Sequence, residues 1–205
     1  MKKGYLCLMK NVLITRKKTI FDKNLFKAFE REGYNVYVSG SNEPKDKIDL
    51  YIDVSNEAGV ADTFTIREGL DEKEINRVYK ANVLKPMRRF EKYLPLLDAG
   101  EGKRVCFLTT SEASINETRD TDGYAFKLSK AALYNFIQMA SNKLTPNGYT
   151  WRVFDPMVGE VDAKASAEAA FNYFTRRRGT ENNDNLRDDE NRLVFRDALG
   201  REHTW

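Results

Sequence analysis

Short apolar runs alternate with helical patterns along this chain, and that alternation constrains the fold more than any other feature. Residues 11–15, 35–39, 49–54, 104–110, 149–154 and 193–195 read as strands. Most are apolar at successive positions, as strands covered on both faces are. Between them, residues 20–32, 71–97, 126–144 and 163–178 follow helical spacing. In the first of these, Leu25, Phe26 and Phe29 share a face and Gly33 marks the stop. Pro86 interrupts the second and predicts a kink. Leu133, Phe136, Ile137 and Ala140 form the apolar face of the third. The expected fold class is α/β: a three-layer sandwich whose mostly parallel sheet, of about six strands, carries helices on both faces.

The size fits that reading. At about 150 residues per domain, the 205 residues predict a single domain spanning 1–205, and 41% hydrophobic content suffices for a core. No apolar run approaches the roughly 18 residues of a membrane span. The chain opens on Lys2 and Lys3, and the apolar patch from Tyr5 to Met9 is too short for a secretory signal, so the expected location is cytoplasmic. Cys7 and Cys106 make neither a disulfide framework nor a metal cluster. The lone histidine, His203, lies two residues from the end, which excludes most histidine-dependent triads and zinc sites. A net charge of +3 argues little for nucleic acid. The first thirty residues hold eight Lys or Arg against two acids, a solvated basic edge or a polyanion contact. Residues 176–192 mix both charges and read as a solvated loop.

Several segments, in order, are similar to one family. Residues 11–15 resemble its first strand, and Asn82, in a helix shortly before Pro86, resembles its mid-helix asparagine. Residues 94–97 followed by 103–105 resemble a helix end and the entry to the next strand. Residues 129–133 resemble its catalytic helix. Asp155-Pro156 stands where the family has Pro-Gly, and residues 200–205 resemble a common terminus. The chain thus resembles the short-chain dehydrogenases/reductases, which bind a nicotinamide dinucleotide on a Rossmann sheet. The resemblance implies NAD(P) as cofactor and Asn82, Thr110 and Lys130 at the asparagine, serine and lysine positions of the active site. It also implies a homodimer or homotetramer formed through the helices 71–97 and 126–144.

The functional positions depart from the family pattern. The loop after the first strand normally carries three glycines, which turn tightly and bring backbone amides to the pyrophosphate. Counted from Thr15, those positions are Arg16, Ile20 and Asp22. Thr19 and Asp22 also have the spacing of a capping box, and one reading of the loop is a plain helix start. Alternatively Arg16, Lys17 and Lys18 bind an anion by charge. The family's acid–base tyrosine is Phe126, which has no proton to give. Tyr124 lies two residues earlier, about 200° away on a helix, and would reach the site only if the helix began after it. Lys130 and Asn82 also have ordinary readings, as a solvated lysine and a helix hydrogen-bonding residue. Met157 replaces the glycine after Pro156 and would crowd a nicotinamide. Residues 56–59 resemble the family's Asn-Asn-Ala-Gly turn, with Asn56 or Asp53 at its asparagine.

The largest departure is an absence. Between the second strand and residue 49, where the family builds a third strand with flanking helices, only residues 41–48 remain. Eight extended residues reach roughly 27 Å, enough for a bare strap across the sheet. An antiparallel hairpin of 35–39 with 49–54 is the other solution. Three functions follow: a non-catalytic member that binds a ligand or partner, an atypical NAD(P)-dependent oxidoreductase on carbonyl or alcohol substrates, or a binder of anionic small molecules at Arg16, Lys17 and Lys18.

Overall fold

The computed structural model describes residues 11–58, 66–176 and 192–205. The strands are β1 (Asn11–Ile14), β2 (Asn35–Val38), β3 (Leu50–Asp53), β4 (Arg104–Leu108), β5 (Thr150–Asp155) and β6 (Phe195–Asp197). They form one six-stranded sheet in the order β2-β1-β3-β4-β5-β6. Every neighbouring pair runs parallel. The last strand begins where its predicted run ends: its first paired residue is Phe195, opposite Val153, and the Val194 carbonyl accepts from the Val153 amide. The predicted solvated loop 176–192 and the basic start 1–10 lie, apart from Arg176 and Arg192, outside the described residues.

Helices cover both faces. α1 (Ile20–Arg31) and α5 (Ala163–Thr175) pack on one side. There Leu25, Phe29, Ala170 and Phe174 meet Val12, Ile14, Leu50, Ile52 and Phe154. On the other side lie α2 (Glu72–Tyr79), α3 (Lys85–Asp98) and α4 (Tyr124–Leu144). Phe90, Tyr93, Leu97, Leu133 and Ile137 cover Leu13, Tyr51, Val105, Phe107 and Val153 there. Alternate strand residues therefore serve opposite cores, which is why the strands read as continuous apolar runs.

The strap, not the hairpin, is what the chain builds. β2 and β3 flank β1 on opposite sides, both parallel to it, so residues 39–49 must return across the sheet. They do so against α3. The Tyr93 hydroxyl donates to Glu43 Oε2 at 2.6 Å and lies 2.8 Å from Ser39 Oγ. The Ile48 amide donates to the Leu96 carbonyl at 2.9 Å, and Ile48 is fully buried. Gly100 completes the passage: a Cβ there would lie 1.9 Å from the Ile48 carbonyl oxygen.

Pro86 distorts its helix as expected, but as a bulge. Residues Lys80–Leu84 form a π-helical turn between α2 and α3, with the Lys85 amide donating to the Lys80 carbonyl. Proline has no amide for the carbonyl of Asn82, and the widened turn absorbs that gap.

Candidate functional site

The site lies at the carboxyl ends of β1, β3, β4 and β5, where a parallel sheet of this kind leaves a crevice. Thr15 closes β1: its amide donates to the Ile52 carbonyl, and its Oγ1 accepts from the Val54 amide at 3.1 Å. The next turn carries the glycine-free loop. Thr19 caps α1, and the Asp22 amide donates to Thr19 Oγ1 at 3.0 Å. One oxygen of Asp22 accepts from the Lys18 amide at 2.9 Å, the Thr19 amide at 3.0 Å and Arg16 Nε at 3.1 Å. Asp22 is 1% exposed. The positive start of the helix is therefore occupied by a carboxylate of the chain itself. Lys17 is drawn away, its Nζ lying 3.3 Å from the centroid of the Phe26 ring, and Lys18 stays exposed. Of the two readings of this loop, the helix start is the one that forms, with Arg16 bonded to Asp22 and Lys17 over Phe26.

Lys130 sits on α4, fully buried. Its Nζ donates to the Ser55 carbonyl at 2.6 Å and the Leu108 carbonyl at 3.3 Å, bridging the ends of β3 and β4. Burial pulls its pKa down to about 7, against the opposing pull of Asp53. Asn82, also fully buried, accepts from the Glu57 amide at 2.9 Å. Its Nδ2 donates to the Glu57 carbonyl at 2.8 Å and to Ser129 Oγ at 3.0 Å. Both residues brace the segment after β3 through backbone groups.

That segment also resolves the choice between Asp53 and Asn56. Asp53 turns to the helix layer, accepting from Arg89 Nη2 at 3.0 Å, from Tyr51 at 3.1 Å and from the Ser55 amide at 2.8 Å. Asn56 faces the crevice, and its Oδ1 is buried without a hydrogen-bond partner among the described residues.

Two adjoining cavities fill the crevice. The larger, about 410 Å³, lies between Arg16, Ile20, Phe21, Leu108, Pro156, Val158 and Val161. The smaller, about 210 Å³, holds Thr110, Glu112, Phe126, Asp155, Met157 and Glu160. Asn56, Ala58, Pro156 and Val158 border both. Thr110 and Phe126 thus share a wall, as the serine and tyrosine positions of the resembled family would. Tyr124 does not join them. Gly123 takes the left-handed conformation, φ 74°, and α4 begins at Tyr124 itself, so the condition for its reaching the site fails. Tyr134, a turn beyond Lys130 on the same helix, donates instead to the Thr110 carbonyl.

Asp155 and Met157, together with Glu112, which carried no sequence signal, complete the pocket. Asp155 pins its floor, accepting from the Ser111 amide at 2.7 Å and the Met157 amide at 2.8 Å. Met157 takes a left-handed backbone, φ 49°, of the kind that favours glycine, while burying its side chain. Glu112 is raised above the usual carboxylate range by burial, with Asp120, Asp155 and Glu160 adding to the effect against Lys127. Only the folded chain brings these acids together.

Three features bear on a dinucleotide in this crevice. Asp22 takes the Lys18 and Thr19 amides at the start of α1, Ile20 stands at the second glycine position, and Met157 and Phe126 line the same smaller cavity. The edge beyond β2 has no further strand among the described residues to wall an adenine pocket. No group of side chains among the described residues is arranged to hold a metal ion.

No protein-family profile matches the chain. Residues of the chain are 31% identical over 101 positions to C-signal of Myxococcus xanthus, covering 49% of this chain and 61% of that protein. An uncharacterized oxidoreductase of Schizosaccharomyces pombe is 30% identical over 108 positions, covering 53% of this chain and 42% of its own. The matches thus span less than two thirds of these relatives. Solved structures are similar over nearly the whole chain. The carbonyl reductase Sniffer of Drosophila melanogaster superposes with a TM-score of 0.77 at 15% identity, covering 96% of this chain and 100% of that one. A carbonyl reductase of Pseudomonas aeruginosa in complex with NADP gives 0.74 at 15% identity, with 96% and 100% coverage. With its sheet order, its helix layers and its crevice at the strand ends, the chain has the fold of the short-chain dehydrogenases/reductases.

Proposed function

We propose that this chain is a ligand- or partner-binding protein on the dehydrogenase/reductase fold that does not carry out hydride transfer. The observation that carries the reading is the Asp22 carboxylate, which takes three donors at the start of α1. A dinucleotide phosphate would have to displace a buried charge of the same sign. Phe126 adds an independent reason, because the acid–base position holds no proton. The test is a melting curve with millimolar NADH and NADPH, since a ligand specific to the native state raises stability by RT ln(1 + [L]/Kd). No shift with either is the expected result. A shift abolished by Lys130→Ala would overturn the proposal.

The rival reading is an NAD(P)-dependent oxidoreductase on a carbonyl or alcohol. It is supported by the buried Lys130 and Asn82 and by the reductase of similar fold solved with NADP. Under that reading Phe126→Tyr would produce or raise NADPH oxidation with a carbonyl substrate. Under ours it changes nothing.

The chain is further proposed to act in the cytoplasm as a homodimer through the outer faces of α2, α3 and α4. No helix among the described residues is long and apolar enough to cross a membrane, and Cys106 is buried. Leu128 and Met139 on α4 are exposed by 52% and 67%. Sedimentation is expected to give a dimer, and Leu128→Lys with Met139→Lys to give a monomer.

A further inference from the structure

We infer that the crevice takes a small amphipathic amine, its apolar body in the larger cavity and its ammonium beside Glu112 and Glu160. This inference rests on the cofactor-free reading above, because a bound dinucleotide would fill the same space.

Three observations meet at one place. The larger cavity, about 410 Å³, presents Ile20, Phe21, Leu108, Val158 and Val161. Two of these, Ile20 and Val158, are 71% and 73% exposed at its rim. Apolar side chains held open to water on both lips of a cleft favour an apolar occupant. The second observation is charge. Arg16 is the basic residue of the larger cavity and is already paired with Asp22 at 3.1 Å. The smaller cavity holds Glu112, Glu160 and Asp155 and no basic residue. Asp155 is spent on two backbone amides, while Glu112 and Glu160 repel each other at the mouth. Lys127 lies near enough to act on Glu112 but is bonded to Asp120 at 2.6 Å. Among the described residues, Lys130 is buried and bonded to the Ser55 and Leu108 carbonyls, so an anion entering here meets no unpaired cation on the cavity lining, whereas an ammonium relieves the repulsion of two carboxylates. The third is Asn56 Oδ1, a buried acceptor without a partner among the described residues, on the border of both cavities. An N–H donor placed there satisfies it.

The occupant is therefore defined by an apolar stem and a donor-bearing cationic end. Octylamine, octanol and octanoate share one stem and differ in that end. Each is titrated against the full chain below its aggregation threshold, with melting temperature and calorimetry as readouts. Octylamine is expected to bind on the order of tenfold more tightly than octanoate, a difference of about 1.4 kcal/mol. Glu112→Gln with Glu160→Gln should lower octylamine to the affinity of octanol. Ile20→Ser with Val158→Ser, both on exposed positions, should weaken octanol and octylamine alike. Octanoate binding as tightly as octylamine would overturn the inference, and so would octylamine binding unmoved by either double variant. NADPH is titrated in parallel. A shift with NADPH overturns the cofactor-free reading and this inference with it. No shift with NADPH and none with octylamine overturns this inference alone.

Discussion

At the third glycine position of the dinucleotide loop, Asp22 turns a helix start that receives anions into one that already has its own. Half of this was legible. Thr19 and Asp22 have the spacing of a capping box, and the box forms. The Arg16 pairing was not legible, because the loop's path decides whether the guanidinium turns inward. Removing the carboxylate tests both halves. Asp22→Ala should cost about 1–2 kcal/mol through the lost cap, read as a lower midpoint in urea. It also frees the Lys18 and Thr19 amides and Arg16, so millimolar pyrophosphate should restore part of the loss in the variant and do nothing for the parent. Equal response of the two would refute the idea that Asp22 occupies an anion site. Lys130 shows what sequence cannot supply. A lysine on a helix is usually solvated, and only the convergence of the ends of β3 and β4 on α4 buries this one. Its folded pKa, about 7, lies below the unfolded value of 10.5. The unfolded chain therefore binds more protons between those values, and stability gains from this group as pH rises from 7 toward 10. Chemical denaturation of Lys130→Met should show a flatter rise over pH 7–9.5 than the parent. An unchanged slope would mean that the amine is not desolvated.

Among the elements, the strap is the one whose existence followed from counting and whose anchoring did not. Eight residues are too few for a helical crossover, which left a strap or a hairpin. The hairpin fails because β1 lies between the two strands and pairs with both in parallel. What holds the strap down is spread over α3 and its end: Tyr93, Lys92, the Leu96 carbonyl and Gly100. None of these has a local signal, since each acts on residues some fifty positions away in sequence. Gly100 is the sharpest case. It has no left-handed backbone to explain it, only the Ile48 carbonyl against its Cα. Gly100→Ala must push the strap or the end of α3 aside, with an expected loss of about 1–3 kcal/mol. Tyr93→Phe, which keeps the ring packing and removes the bonds to Glu43 and Ser39, should cost about 1 kcal/mol. Thermal denaturation of the two variants should rank Gly100→Ala as the worse. The π turn beside Pro86 belongs to the same scale: the sequence placed Asn82 as a hydrogen-bonding residue in the disturbed helix, but not that its bonds would reach out to brace the segment after β3.

For the whole molecule, the carboxyl-terminal residues join the last strand to the loop that carries Thr110 and Glu112. His203 lies between two carboxylates, with Nδ1 at 2.8 Å from Glu117 and Nε2 at 3.0 Å from Asp197. The Thr204 amide and hydroxyl donate to Glu117 Oε1 at 2.6 and 2.8 Å, and Trp205 packs edge-on against Tyr134. The lone histidine thus serves a clasp between distant segments, a role that its position near the end did not disclose. Burial alone would lower its pKa, but bonds to Glu117 and Asp197 outweigh burial and raise it above 6.5. Glu117 is held down at about 2 by the same contact. For the histidine, the stabilisation is complete below the unfolded pKa of 6.5 and is lost as pH rises through the folded value. For Glu117, it is present above 4.5 and is lost as pH falls toward 2. The clasp is therefore strongest between about pH 4.5 and 6.5. His203→Ala should then cost about 1.5–3 kcal/mol at pH 6, the range for hydrogen bonds to charged groups, and clearly less at pH 9. Measuring the variant against the parent at each pH cancels the opposing contribution of Lys130, which both proteins share. An equal loss at the two pH values would show that the imidazole holds the tail by packing on Phe195, and that its charge contributes nothing to the closure of the molecule at this end.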